Sequence, residues 1–145
     1  MADLLTDLKN YMQSRTATNP ICVNMGATLV FNKHFFIGRE PANLVGSTCI
    51  TIYPTGGYSP SRERYTTHPT AQVRIRAKNF KKGYDVGNAI LYDWHRNSQI
   101  LASTNAVCFA INADANYIGP HEDGISSIFT MNFYFLSVRY DKIDK

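Results

Sequence analysis

The sequence is poor in the features that mark membrane, secreted or metal-dependent proteins. No stretch of its 145 residues approaches the ~20 apolar residues of a membrane helix. Its start, Met1-Ala-Asp-Leu-Leu-Thr-Asp-Leu-Lys, carries acids where a secretory leader would be basic, and the apolar run is short. The expectation is a protein made and used in a cytosol-like setting. Cys22, Cys49 and Cys108 lie far apart, and no Cys-x-x-Cys pair occurs. Each has apolar or small neighbours, which predicts buried free thiols and a reducing compartment. Internal repeats and linkers are also missing, so residues 1–145 read as one domain.

A catalytic set is not found either. His121-Glu122-Asp123 is the densest group of possible metal ligands. Three adjacent side chains cannot all face one ion on a regular strand, so a solvated turn is expected. Asp93 and His95 flank Trp94, but helical residues two apart do not face each other. Gly56-Gly57 lacks the later Gly-Lys-Ser/Thr of a phosphate loop and reads as a turn. No cofactor is expected, and no enzyme.

What the chain does have is segregated charge. Residues 62–82 hold Arg62, Arg64, Arg74, Arg76, Lys78, Lys81 and Lys82 against Glu63 alone. From residue 83 onward there are four basic and seven acidic side chains. Such a chain could meet copies of itself head to tail, could contact nucleic acid, or could simply present a solvated face. Lys81 and Lys82 fall in the first turn of an expected helix, where the helix dipole disfavours cations by about 0.3–1 kcal/mol each. An acidic partner surface would offset that cost.

Hydrophobic periodicity gives the architecture. Asp3 caps a helix over 4–14 with an apolar stripe of Leu4, Leu5, Leu8, Tyr11 and Met12, and Asp7 lies away from it. Thr16-Ala-Thr-Asn-Pro20 ends that helix, and 21–36 reads as irregular, strand-like pieces. A buried strand covers 47–53, followed by an exposed loop to Pro69. From Thr70 to Lys78, Val73, Ile75 and Ala77 alternate with Gln72, Arg74, Arg76 and Lys78. Asn79 caps a second helix over 80–97, in which Gly87 suggests close approach to a sheet. A strand over 107–111, a polar turn over 114–124 and a long strand over 125–140 complete the chain. The fold class is α+β: a mostly antiparallel mixed sheet with two helices packed on one face, ordered α-β-β-β-α-β-β.

Pro69-Thr-Ala-Gln-Val-Arg-Ile-Arg-Ala-Lys-Asn-Phe-Lys-Lys-Gly-Tyr84 resembles the Pro-Thr-x-Gln-Val-Arg-x-Arg strand and following helix of bacteriophage tail-terminator proteins. Phe36-Ile-Gly-Arg-Glu-Pro41, Ile52-Tyr-Pro-Thr-Gly-Gly-Tyr58 and Tyr117-Ile-Gly-Pro-His-Glu-Asp-Gly124 with Phe129-Thr-Met-Asn-Phe133 are similar to that family's other segments, in the same order. The likeness spans about 34–138. It departs in a long 16–33 segment and in the order of His121-Glu122-Asp123.

This resemblance implies a structural virion protein of the tail and neck, assembled in the host cytoplasm. Copies would form a ring, usually a homohexamer, on the head-proximal end of the tail tube. Its partners would be itself, the tail tube protein and the head–tail connector protein, with no membrane. DNA would pass through without specific binding. Bare cations in such a channel would hold phosphates. Arg74, Arg76 and Lys78 are therefore expected to pair with acids between subunits or to face outward, with Lys81, Lys82, Arg62 and Arg64 as further contact residues. A head-completion protein and a small nucleic-acid-binding accessory protein are the alternatives.

Overall fold

The computed structural model describes residues 4–41, 48–56, 68–121, 126–136 and 138. Helix α1 (Leu4–Gln13) buries Leu8, Tyr11 and Met12 as its stripe requires, but Leu5 stays half exposed. Asp7 corrects the sequence reading. It is buried, because Ser103 Oγ donates to its Oδ2 at 2.6 Å and replaces water there. The expected cap, Asp3, lies outside the described residues, as does most of the loop between Gly56 and His68.

The stretch after α1 is another correction. Asn19-Pro20 does not only end one helix; it starts a second, α2 (Pro20–Met25). Asn19 Oδ1 accepts from Ile21 N at 2.9 Å, proline occupies the first turn, and Gly26 closes the helix at φ 78°. Ile21 and Cys22 are its buried side.

Among the described residues seven strands follow: β1 (Phe35–Ile37), β2 (Cys49–Pro54), β3 (Thr70–Ala77), β4 (Asn97–Leu101), β5 (Ala106–Ala110), β6 (Asn116–Pro120) and β7 (Ser127–Phe135), with α3 (Phe80–Trp94) between β3 and β4. The sheet order is β1-β2-β3-β7-β5-β4, with β6 also on β7. Among the pairings of these seven strands, β1 with β2 is parallel and the others are antiparallel. The α+β class and the mixed, mostly antiparallel sheet therefore hold. The order α-β-β-β-α-β-β does not, since α2, β4 and β6 are additional. The second helix stops at Trp94 and not at 97; Arg96 turns the chain at φ 59°, and β4 starts at Asn97 in a stretch for which the sequence predicts no element. β6 lies within the expected polar turn over 114–124, and its side chains are mostly exposed and lack alternation.

Strand β7 organises the sheet. One edge pairs with all of β3, from Thr70↔Tyr134 to Ala77↔Ser127. The other edge is shared, with β6 opposite Ser127–Thr130 and β5 opposite Phe133–Phe135. Between them, Ile111 N donates to Asn132 O (2.8 Å), and Asn132 N donates to Asn112 Oδ1 (2.7 Å). The loop thus satisfies the backbone where neither strand reaches.

Helix α3 lies on the face formed by Val73, Ile75, Phe129, Met131 and Phe133. Two glycines set its distance. A Cβ on Gly87 would sit 2.6 Å from Ala115 Cβ and 3.2 Å from Met131 Sδ, and one on Gly83 would lie 2.6 Å from Phe129 Cδ1. The close approach inferred from Gly87 is borne out. Trp94 packs on Phe133 with ring centroids 4.8 Å apart. α2 packs against α3, and α1 against β4, so the helices share one core cluster with the sheet.

Candidate assembly surface

The second face of the sheet carries the basic residues of β3, and it is not bare. Residues 72, 74 and 76 share that face because strand side chains alternate. The register sets Thr51 and Thr130 on either side of Arg74, and Cys49 and Ile128 on either side of Arg76. Two cations on one partly buried face need a counter-charge, and Glu40 supplies it. Its Oε1 lies 3.1 Å from Arg74 Nε, and its Oε2 lies 3.2 Å from Arg76 Nη1. His121 Nε2 approaches the same Oε2 at 3.7 Å.

Arg76 is 1% exposed and Glu40 12%, so water screens this contact little. Within the chain, Arg74 and Arg76 already have an acid, and Arg74 remains 37% exposed. Their acid comes from the same chain, and Arg76 is part of the interior. The sequence did carry a signal for this. Glu40 is the sole acidic residue between Asp7 and Glu63.

The other expected contact residues separate. Lys78 is exposed at the end of β3. Lys81, 85% exposed, pairs with Asp85 one turn on, at 3.0 Å. Part of the dipole cost attributed to Lys81 is therefore offset within the helix. Lys82 N donates to the Asn79 Oδ1 cap at 2.8 Å, as the sequence predicts for Asn79. Arg62 and Arg64 lie outside the described residues, as do Glu122 and Asp123.

A second polar cluster joins α1 to the end of α3. Tyr11 OH donates to Asp93 Oδ2, and Asn97 Nδ2 donates to Tyr11 OH at 2.9 Å and to Asp93 O at 2.7 Å. Arg15 stacks 3.8 Å from the Tyr11 ring centroid and lies 3.6 Å from Asp93 Oδ1, which also accepts from Asn19 Nδ2 at 3.2 Å. Burial, then the Asp93 hydrogen bond, pushes the Tyr11 hydroxyl pKa well up. His95 takes no part; its Nδ1 accepts from Ala110 N at 3.0 Å. The cluster is a clasp between elements.

Cys22, Cys49 and Cys108 are buried free thiols, as expected. Burial pushes Cys49 up to about 11 and Cys108 further, which disfavours the thiolate a nucleophile needs. Among the described residues, no group of three or more His, Cys, Asp or Glu is placed to hold a metal. No helix among them is long and apolar enough to cross a membrane.

Two of the exposed apolar residues, Phe80 and Tyr117, meet beside the start of α3. Phe80 stacks on Tyr84 (6.0 Å) and meets Tyr117 edge-on (5.1 Å), while both Phe80 and Tyr117 contact the buried Phe129. Phe80 is 52% exposed, Tyr117 45% and Ile118 60%. The register of β6 slips between Tyr117 and Gly119, so Ile118 faces no β7 residue. β6 pairs only with β7 among the described residues, so its outer edge carries no strand. From Tyr84 an open groove of about 650 Å³ continues past Tyr92 and His95 to Asp114.

Among the described residues, buried charges hold the chain's own α+β segments together, and an apolar strip at Phe80 and Tyr117 stays exposed. The particular family follows from comparison. The chain matches the bacteriophage tail terminator protein family across residues 8–136 and belongs to it. It is thus a structural protein of the phage tail, and its place is the virion. No curated protein matches it.

Proposed function

We propose that copies of this chain close into a ring of about six subunits on the head-proximal end of the tail tube. The ring ends tube polymerisation and provides the joint for the head connector. The observation that carries this reading is the family match over 8–136, which takes in α2, α3 and every strand of the sheet. The mechanism is geometric. Contacts between two different surfaces generate a ring when a fixed rotation closes, and the finished ring offers no site for another tube subunit. DNA passes through the centre without specific binding. In support, Arg74 and Arg76 meet Glu40 within the chain, which lowers the positive charge they could present to phosphates. Lys78, Lys81 and Lys82, with Arg62 and Arg64, remain as contact residues toward a protein partner.

Light scattering on the purified chain tests ring closure; a stable monomer at assembly concentrations counts against it. Tail length in virions lacking the protein tests the role. Overlong tails support termination, whereas normal tails without heads would make it a head-completion protein.

A further inference from the structure

We infer that the groove along α3 binds an extended, uncharged peptide segment of a neighbouring protein through that segment's backbone carbonyl oxygens. The inference deepens the assembly reading by naming a contact surface and what it recognises. It rests on that reading only for which proteins stand nearby.

The groove holds about 650 Å³ between α3 and the chain from Ala110 to Asp114. Asn88, Asn112 and His95 line it, and in each the acceptor atom is already taken by a backbone N–H. Asn88 Oδ1 accepts from Ala115 N at 3.0 Å, Asn112 Oδ1 from Asn132 N at 2.7 Å, and His95 Nδ1 from Ala110 N at 3.0 Å. An amide nitrogen only donates, and an imidazole that accepts at Nδ1 carries its proton at Nε2. What each residue has left is therefore a donor: Asn88 Nδ2, Asn112 Nδ2 and His95 Nε2. Among the described residues, none of these three atoms has a partner within the chain. The fold has fixed the polarity of the groove by using up its acceptors.

Such a lining calls for a ligand rich in acceptors. Asp114 is exposed on the same lining and in no ion pair, which weighs against phosphates and carboxylates and favours uncharged carbonyls. A helix or a paired strand has its carbonyls bonded internally, whereas an unpaired extended segment presents them in a row. Tyr84, Asn88 and His95 fall on one stripe of α3. From Tyr84 to His95 that stripe runs about 16 Å, the length of about five extended residues. The hydroxyls of Tyr84 and Tyr92, on the same lining, can accept from the segment's N–H groups.

The test exchanges donors for acceptors and leaves the internal bonds in place. In Asn88→Asp/Asn112→Asp an oxygen still accepts from Ala115 N and Asn132 N, while each free Nδ2 becomes an oxygen. A second variant, Tyr92→Ala, removes a groove wall that is 88% exposed and makes no bond the fold needs. Gln13→Glu/Gln99→Glu, exposed and outside the groove, matches the added charge. All are compared with the parent for thermal unfolding, for self-assembly by light scattering, and for capping of tail tubes isolated from phage lacking this protein, counted by electron microscopy.

The expected result is parent-like unfolding, with at least about tenfold more of the Asp variant needed for half-maximal assembly or capping. Tyr92→Ala should shift the same readout in the same direction, and the charge control should not. A loss of self-assembly makes the segment a second copy's; a loss of capping alone makes it the tube protein's. Groove variants that match the parent in both readouts overturn the inference, as does a charge control that fails equally. A parent chain that caps tubes without forming a ring defeats the ring reading alone, and capping still reads the groove.

Discussion

Glu40 Oε2 lies 3.2 Å from Arg76 Nη1, joining residues 36 positions apart on a sheet face where Arg76 is 1% exposed. The same carboxylate holds Arg74, so one acid anchors the segment after β1 across β3. Removing one partner of a buried ion pair costs more than the pair contributes, because the other charge loses its compensation.

Glu40→Gln is therefore expected to destabilise the chain by about 3 kcal/mol, read from urea unfolding. Arg74→Ala, at a side chain 37% exposed, should cost less than about 1 kcal/mol. Equal small losses for the two would mean the cluster is solvated and not structural.

Gly87→Ala separates local propensity from packing. Helix propensity alone predicts a gain of about 0.8–1 kcal/mol. The added methyl would meet Ala115 Cβ at 2.6 Å, and that atom has no rotamer by which to move away. A net loss of about 1–3 kcal/mol is expected in denaturant unfolding. A stabilised variant would show that α3 can shift off the sheet.

Tyr11→Phe removes a hydroxyl that links Asp93, Asn97 and Arg15. The expected loss is about 1–2 kcal/mol, with earlier amide exchange in α1 than in α3. Exchange that changes uniformly along the chain would argue against a local clasp.

Alkaline pH should unfold the chain in a defined window. Burial raises Cys49, Cys108 and Tyr11 above their ordinary values of 9.0, 9.0 and 10.0. At high pH the unfolded chain has lost protons that the folded chain still holds, so stability falls as pH rises. It should be flat with respect to these groups below about pH 8, then drop by about 1.4 kcal/mol per pH unit for each group past its unfolded value. For Cys49 the decline ends near its folded value of about 11. Unfolding midpoints between pH 8 and 11 measure this, and Tyr11→Phe should remove the part that begins near 10. Thiol reagents should label all three cysteines only on unfolding.

The sequence by itself determined the parts governed by near neighbours. The alternation of Val73, Ile75 and Ala77 turns one face of β3 into the core, and Asn79 caps α3 through a bond three residues long. Gly87 announced close packing because its local cost needed a reason beyond the helix. The buried thiols followed from their apolar neighbours.

Tertiary structure alone decided the rest. β6 has no alternation of its own and is a strand only because β7 leaves an edge for it past the end of β5. Asn19-Pro20 fits a helix end or a helix start, and packing of Ile21 and Cys22 against the core selects the start. The basic face of β3 looked open because charge pattern records residue type and not distance. Whether an arginine faces solvent, a partner or its own chain depends on which acid the fold brings to it. For Arg74 and Arg76 that acid is Glu40, more than 30 residues away.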